Sequence, residues 1–247
     1  MAKKNKPVIA LVTGASSGIG RAVCQKLLQQ QYKVIAAGRN IESLAEIYHD
    51  SDMQFVSLDL AKPDLVAASI ATLVREYKHQ SMAIDTYIGC GGYGKFGGLE
   101  QFSNTQIREL MDVNFTSHAI IVRALIPDLR RLAGHIILMG SEAALTGTRN
   151  GVMYCASKFA LRGFAQALRD ECGKSGLRVG IVNPGMVDTQ FFDALEFAPG
   201  EDPVQHIRAE DVAEAVMLML NQPAGTVVDE INMSPLNKVI RSKQKSD

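Results

Sequence analysis

The chain has no excess of either charge: 26 lysines and arginines balance 26 aspartates and glutamates. Nothing in that balance draws it to nucleic acid or to a membrane surface. Its basic residues do cluster at the ends, at Lys3, Lys4 and Lys6 and again at Arg241, Lys243 and Lys245. Residues 1–6 and 241–247 read as solvated, mobile tails. Cysteine is scarce, with four residues, Cys24, Cys90, Cys155 and Cys172, and no CxxC pair or histidine ligand pattern. That excludes a metal site of the usual spacing and suits structural thiols in a reducing compartment. No apolar stretch is long enough to span a bilayer. The apolar run after Pro7 meets Gly14 too early to form a signal peptide. The expectation is a cytoplasmic protein. No proline- or serine-rich linker and no internal repeat divides the sequence, so residues 1–247 read as a single domain.

What is present is a 47% hydrophobic chain, enough for a sizeable core, in which short apolar runs alternate with amphipathic helices. Strands are predicted over Val8–Thr13, Lys33–Ala37, Gln54–Leu58, Ala83–Ile88, His135–Met139, Arg178–Val182 and Thr226–Ile231. Helices are predicted over Gly18–Gln30, Ile41–His49, Pro63–Tyr77, Thr105–Leu132, Val152–Cys172 and Ala209–Leu220. This alternation predicts the α/β class, a doubly wound parallel sheet of seven strands covered on both faces. The irregular stretches 90–104, 141–151 and 183–205 all follow strand C-terminal ends, where such sheets bind ligands.

The first strand runs into Gly14-Ala15-Ser16-Ser17-Gly18-Ile19-Gly20, which opens the first helix. Glycines allow a tight turn and close backbone approach, and the helix N-terminus offers free N–H groups and a positive dipole end to a pyrophosphate. Such a loop alone can be a structural turn. Tyr154 and Lys158 lie four residues apart on a predicted helix, on one face. A phenol beside an ammonium can exchange a proton near neutral pH, since a positive neighbour favours the phenolate. Taken alone, that pair is more often a packing or surface pair. Ser141 could be a turn cap, and Asn114 a buried amide.

Together these pieces resemble the short-chain dehydrogenase/reductase family, from Val8 to about Ile231. The glycine spacing, Asp59 after the third strand, Asn114 in Met111-Asp112-Val113-Asn114, Ser141, Tyr154-x-x-x-Lys158, and Asn183-Pro184-Gly185 followed by Thr189 carry the likeness. The resemblance implies a Rossmann-type sheet in strand order 3-2-1-4-5-6-7. It also implies Tyr154 as general acid in reduction and base in oxidation, and Lys158 lowering its pKa and bonding a nicotinamide ribose. Ser141 would hold the substrate carbonyl and Asn114 a relay water. The implied cofactor set is Gly14, Ser16, Ser17, Gly18, Ile19, Gly20, Arg39, Asp59, Leu60, Gly91, Tyr154, Lys158, Pro184, Gly185, Val187 and Thr189. Gly38 carries no charge and Arg39 can fork onto a phosphate, so the implied cofactor is NADP(H). No metal is implied. The substrate would be a small-molecule alcohol or carbonyl compound, and a homodimer or homotetramer is expected through the two long helices.

An NADP(H)-binding regulatory protein without turnover is the alternative, and a nucleotide-sugar epimerase or dehydratase a third reading. The family's fourth strand usually ends Asn-Asn-Ala-Gly, whereas this chain reads Gly89-Cys90-Gly91-Gly92. Both amides are missing, which predicts a looser sheet end. Phe96, Leu145, Met153, Met186, Phe191, Phe192 and Phe197 are expected to line the substrate pocket.

Overall fold

The computed structural model describes residues 8–39 and 53–243. The helix predicted over 41–49 and the segments 1–7 and 244–247 lie outside the described residues. In chain order the elements are β1 (Ile9–Thr13), α1 (Gly18–Gln29), β2 (Lys33–Gly38), β3 (Met53–Ser57), α2 (Pro63–His79) and β4 (Thr86–Gly89). Then come α3 (Asn104–Met111), a π turn (Asp112–Thr116), α4 (Ser117–Leu132), β5 (His135–Met139), α5 (Val152–Cys172) and β6 (Arg178–Pro184). The chain closes with β7 (Phe197–Pro199), α6 (Ala209–Leu220), β8 (Glu230–Met233) and β9 (Ile240–Ser242).

Seven strands form one sheet in the order β3-β2-β1-β4-β5-β6-β8, with every neighbouring pair parallel. The predicted Rossmann-type order is therefore present, with β8 as the seventh strand. β1 is buried along its whole length because both faces are covered. Ile9 and Leu11 enter the core beneath α2, α4 and α5, while Ala10 and Val12 enter the core beneath α1 and α6. A period of two that is apolar on both sides explains why the strand reads as a continuous hydrophobic run. The sequence order reverses between β1 and β4, and their C-terminal ends open the crevice where such sheets take ligands.

The predicted helix Thr105–Leu132 is broken by the π turn. Its start is fixed by a capping box, in which the Ser103 hydroxyl accepts from the Gln106 N–H (3.2 Å) and the Gln106 side chain accepts from the Ser103 N–H (3.1 Å). At the middle of the π turn sits the fully buried Asn114. The last sheet strand starts at Glu230, not at Thr226. Thr226 closes a turn onto the Pro223 carbonyl (2.9 Å), and pairing with β6 begins only at Ile181 opposite Glu230.

The reading of residues from 241 as a tail is corrected for Arg241 and Ser242. They lie in β9, antiparallel to β7, with Phe197 opposite Ser242. Main-chain pairing, Arg241 to Glu201 at 3.0 Å, and the Lys243 N–H donated to the Glu196 carbonyl (2.8 Å) hold the segment down. Among the described residues no helix is long and apolar enough to cross a membrane, and no group of three metal-ligating side chains is present.

Candidate active site

The glycine loop leaves β1 with positive φ at Gly14 (+67°) and Gly18 (+49°), conformations that favour glycine. A Cβ on Gly20 would lie 2.2 Å from the Gly14 carbonyl oxygen, and one on Gly14 would lie 2.8 Å from the Gly91 nitrogen. The loop is thus a backbone cradle pressed against the end of β4. Ser17 stands at the N-cap of α1 without a side-chain capping bond, so its side chain leaves the first-turn N–H groups uncapped. Ile19 follows inside that first turn. Thr189 lies over the cradle, its Cγ2 3.1 Å from where a Gly18 Cβ would be.

Around the cradle sit the other residues of the predicted binding set. Gly38, at the end of β2, would place a Cβ 3.5 Å from the Ser16 hydroxyl, and Arg39 beside it is exposed. Asp59 accepts from the Ala61 N–H at 3.1 Å. Leu60 is buried and packs on Gly91, where its Cδ1 would be 2.3 Å from an added Cβ. β6 ends at Pro184, and the Gly185 N–H donates to the Met233 carbonyl (2.8 Å). Val187 bridges to Ile207.

The chemical cluster is built on α5 and the π turn. Both ends of the Asn114 amide are engaged: its Oδ1 accepts from the Tyr93 N–H, and its Nδ2 donates to the Tyr93 carbonyl and to the Ser157 hydroxyl, all at 3.0 Å. Lys158 is buried and donates to the Met139 carbonyl at 2.9 Å. Its nitrogen lies 5.9 Å from the centre of the Tyr154 ring. A Cβ on Gly92 would meet the Asn114 Oδ1 at 3.1 Å and the Lys158 nitrogen at 3.5 Å. The structure therefore brings Asn114, Tyr154, Lys158 and Ser141 together. The Ser141 hydroxyl accepts from the Ala143 N–H (3.2 Å), capping a short turn.

The titration of this cluster departs from the expected direction. Burial pushes the Tyr154 phenol up to about 12, opposed by the Ser141 hydroxyl and reinforced by the charges of Cys155 and Glu142. Burial likewise pulls Lys158 down to about 8. Desolvation is the largest cause of both shifts, because both groups are closed off from water.

Phe96 and Phe191 flank the phenol, with ring centres 5.1 Å and 5.9 Å from Tyr154, and Phe197 packs edge-on against Phe96. Met153 joins this cluster, while Met186 and Phe192 form an adjoining one with Phe197. Lys95 lies over Phe102. The C-terminal segment also enters the site: Lys238 pairs with Glu142 at 2.5 Å, next to Ser141. Sequence reasoning placed Tyr93 and Glu142 at the starts of expected pocket loops but did not mark Ser157. Ser157 carried a weak signal, as a small polar residue between Tyr154 and Lys158 on one buried helix face.

A family model described as short chain dehydrogenase matches residues 8–198. An uncharacterised oxidoreductase of Staphylococcus epidermidis is 30% identical over 236 residues, covering 94% of this chain and 99% of the relative. The fold is similar to that of an alcohol dehydrogenase from the archaeon Thermococcus sibiricus, solved with 5-hydroxy-NADP. There the TM-score is 0.81 at 24% identity, over 98% of this chain and 100% of that one. The closed form of a serine dehydrogenase complexed with NADP+ matches with TM-score 0.79 at 25% identity, over 92% of this chain and 94% of that one.

Proposed function

The chain belongs to the short-chain dehydrogenase family, and from that premise we propose that it is an NADP(H)-dependent oxidoreductase acting on an alcohol or ketone, with Tyr154 as its acid/base. One observation carries the reading: a buried phenol, a serine hydroxyl and a buried lysine converge between an aromatic-walled pocket and a glycine cradle.

The residues present fit a dinucleotide. Added Cβ atoms at Gly14, Gly20 and Gly91 would collide with their neighbours, so only glycine allows the tight loop that this reading places against the pyrophosphate. In this reading the first-turn N–H groups of α1, with Ser17, Gly18 and Ile19, hold the pyrophosphate. Arg39 and Ser16 hold the 2′-phosphate, and Asp59, Leu60 and Gly91 the adenosine. Tyr154 and Lys158 bond the ribose, while Pro184, Gly185, Val187 and Thr189 fix the carboxamide end. The bound nicotinamide supplies the hydride in reduction and accepts it in oxidation. Tyr154 gives its proton to the carbonyl oxygen as charge develops there, and takes it back in the reverse direction. Ser141 holds that oxygen, and the Lys158 charge favours the phenolate. The uncharged Gly38 beside Arg39 supports NADP(H) over NAD(H), as does the NADP+ bound to the serine dehydrogenase relative.

The apolar faces of α4 and α5, with Val152 and Phe159 exposed, suit a homodimer or homotetramer, which light scattering tests. The second reading, an NADP(H)-binding regulator without turnover, draws on the high pKa of Tyr154. One experiment separates the two. NADPH absorbance is followed over a carbonyl panel with wild type and Tyr154→Phe. Removing the general acid should lower turnover about 10²–10⁴-fold with NADPH affinity nearly unchanged. Wild-type turnover that survives the substitution sinks the role of Tyr154, while NADPH binding with no turnover on any substrate favours the regulator.

A further inference from the structure

We infer that His118 is a positioning residue that holds Gly91, and with it the floor of the cofactor site, through a three-member bridge with Tyr87. The end of β4 reads Gly89-Cys90-Gly91-Gly92, almost bare backbone, yet it is not loose. The Gly91 N–H donates to the Thr13 hydroxyl at 3.4 Å, and the Gly91 carbonyl lies 2.8 Å from His118 Nε2. A carbonyl oxygen only accepts, so Nε2 carries the proton. In the neutral ring Nδ1 is then an acceptor, and the Tyr87 hydroxyl donates to it at 2.6 Å. Tyr87 and His118 are both fully buried. Burial holds the imidazole neutral by pulling its pKa down to about 4, with Lys158 adding to the effect against the Gly91 bond.

Two size constraints show that this bridge is built in. A Cβ on Gly89 would lie 2.8 Å from His118 Nδ1 and 3.1 Å from the Tyr87 oxygen, so the glycine leaves the room that the imidazole fills. Gly91 in turn is pressed between Gly14 of the cradle and the side chain of Leu60, so moving its carbonyl moves both. Asn114 and His118 stand four residues apart across the π turn. Asn114 clamps Tyr93 by its N–H and carbonyl, and His118 clamps Gly91 by its carbonyl. One helical segment thus holds both ends of the strip 91–93. Side-chain hydrogen bonds from a neighbouring helix do here what amides on the strip itself would otherwise do.

The inference rests on the NADP(H) reading above, and its test keeps the two apart. NADPH dissociation constants and thermal midpoints are measured for wild type, His118→Gln, His118→Leu and Leu129→Ala. Glutamine keeps an N–H near the Nε2 position and should bind within about threefold of wild type. Leucine leaves the Gly91 carbonyl without its donor and should bind about tenfold more weakly or worse. Leu129→Ala opens a cavity in the same helix and should lower the midpoint without changing affinity. A leucine variant that binds like wild type, or a glutamine variant that fails as the leucine variant does, overturns the inference. So does a Leu129→Ala variant that weakens binding as much as His118→Leu. Absence of NADP(H) binding by wild type refutes the function instead, and leaves a cofactor-free readout. Nitrogen-15 NMR of wild type at neutral pH should find His118 as the Nε2–H tautomer. An Nδ1–H tautomer or an imidazolium overturns the bridge.

Discussion

Gly38 is the position where one carboxylate should exchange the cofactor. Its backbone is not in the positive-φ region, and the atoms nearest an added Cβ belong to Ser16, at 3.5 Å or more, which is ordinary contact. Aspartate therefore fits without displacing β2, and the thermal midpoint of Gly38→Asp should stay close to wild type. A carboxylate there faces the group that Ser16 and Arg39 are proposed to hold. At about 5 Å a pair of unit charges interacts by roughly 0.8 kcal/mol in water and 3 kcal/mol at an effective dielectric of 20. A phosphate dianion doubles this, and the exposure of Arg39 keeps the value at the water end. About 2 kcal/mol of repulsion weakens NADPH about 30-fold. NADH lacks the phosphate, and its ribose hydroxyls gain a charged acceptor worth about 1.5 kcal/mol, or roughly tenfold. The ratio of the two dissociation constants should move by about 300-fold. Fluorescence titration with both cofactors reads it, and the NADPH penalty should shrink in high salt. A ratio that moves less than threefold places the 2′-phosphate somewhere other than Ser16 and Arg39.

Two other perturbations follow from charged groups around the sheet. Asp85 is raised from 3.8 to about 6 by burial, against bonds from Thr86 and the Ile9 N–H. A raised folded pKa means that its contribution is fully present below about pH 4 and is lost as pH rises through about 6. Asp85→Asn should therefore gain roughly 2 kcal/mol over wild type between pH 4 and pH 8 in denaturant unfolding, and parallel stability curves would sink the assignment. Glu142 raises the Tyr154 phenol while Lys238 pairs with it. In ultraviolet titration against a Tyr154→Phe blank, Glu142→Gln should shift phenol ionisation to lower pH and Lys238→Met to higher pH. Shifts of the same sign in both variants would show that the pair does not act on Tyr154 through charge.

What could be read from the residues, and what could not, divides along the range of the interactions. The strand order was legible only through the family resemblance, whereas the turn of the glycine loop was legible because it depends on local facts. Gly14, Gly18 and Gly20 are demanded by the turn itself, and β1 is apolar on both faces because helices cover both. That Tyr154 and Lys158 share one helix face was legible because a helix puts residues four apart on one side, while their proposed roles came from the family resemblance alone. The β9 strand was not, since Arg241 and Ser242 look like tail residues until Phe197 and Pro199 supply a pairing edge. Nor was the start of β8, which is set by the turn at Pro223 and Thr226.

His118 shows the same division within one site. In sequence it is a lone histidine in an apolar helix, and the glycines at 89 and 91 look like lost side chains. Only the parallel pairing of β1 with β4 brings Thr13 beside Gly89, and only the packing of α4 under the sheet carries an imidazole to Tyr87 and Gly91. The departure from the family's Asn-Asn-Ala-Gly pattern predicted a looser sheet end. Yet Gly91 is held at both its N–H and its carbonyl. A buried backbone group needs a partner, whichever element supplies it. Where a strip of chain gives up its own polar side chains, the neighbouring element has to carry them. That need makes Gly89 and His118 a matched pair: the position that lost a side chain is the one that admits the ring.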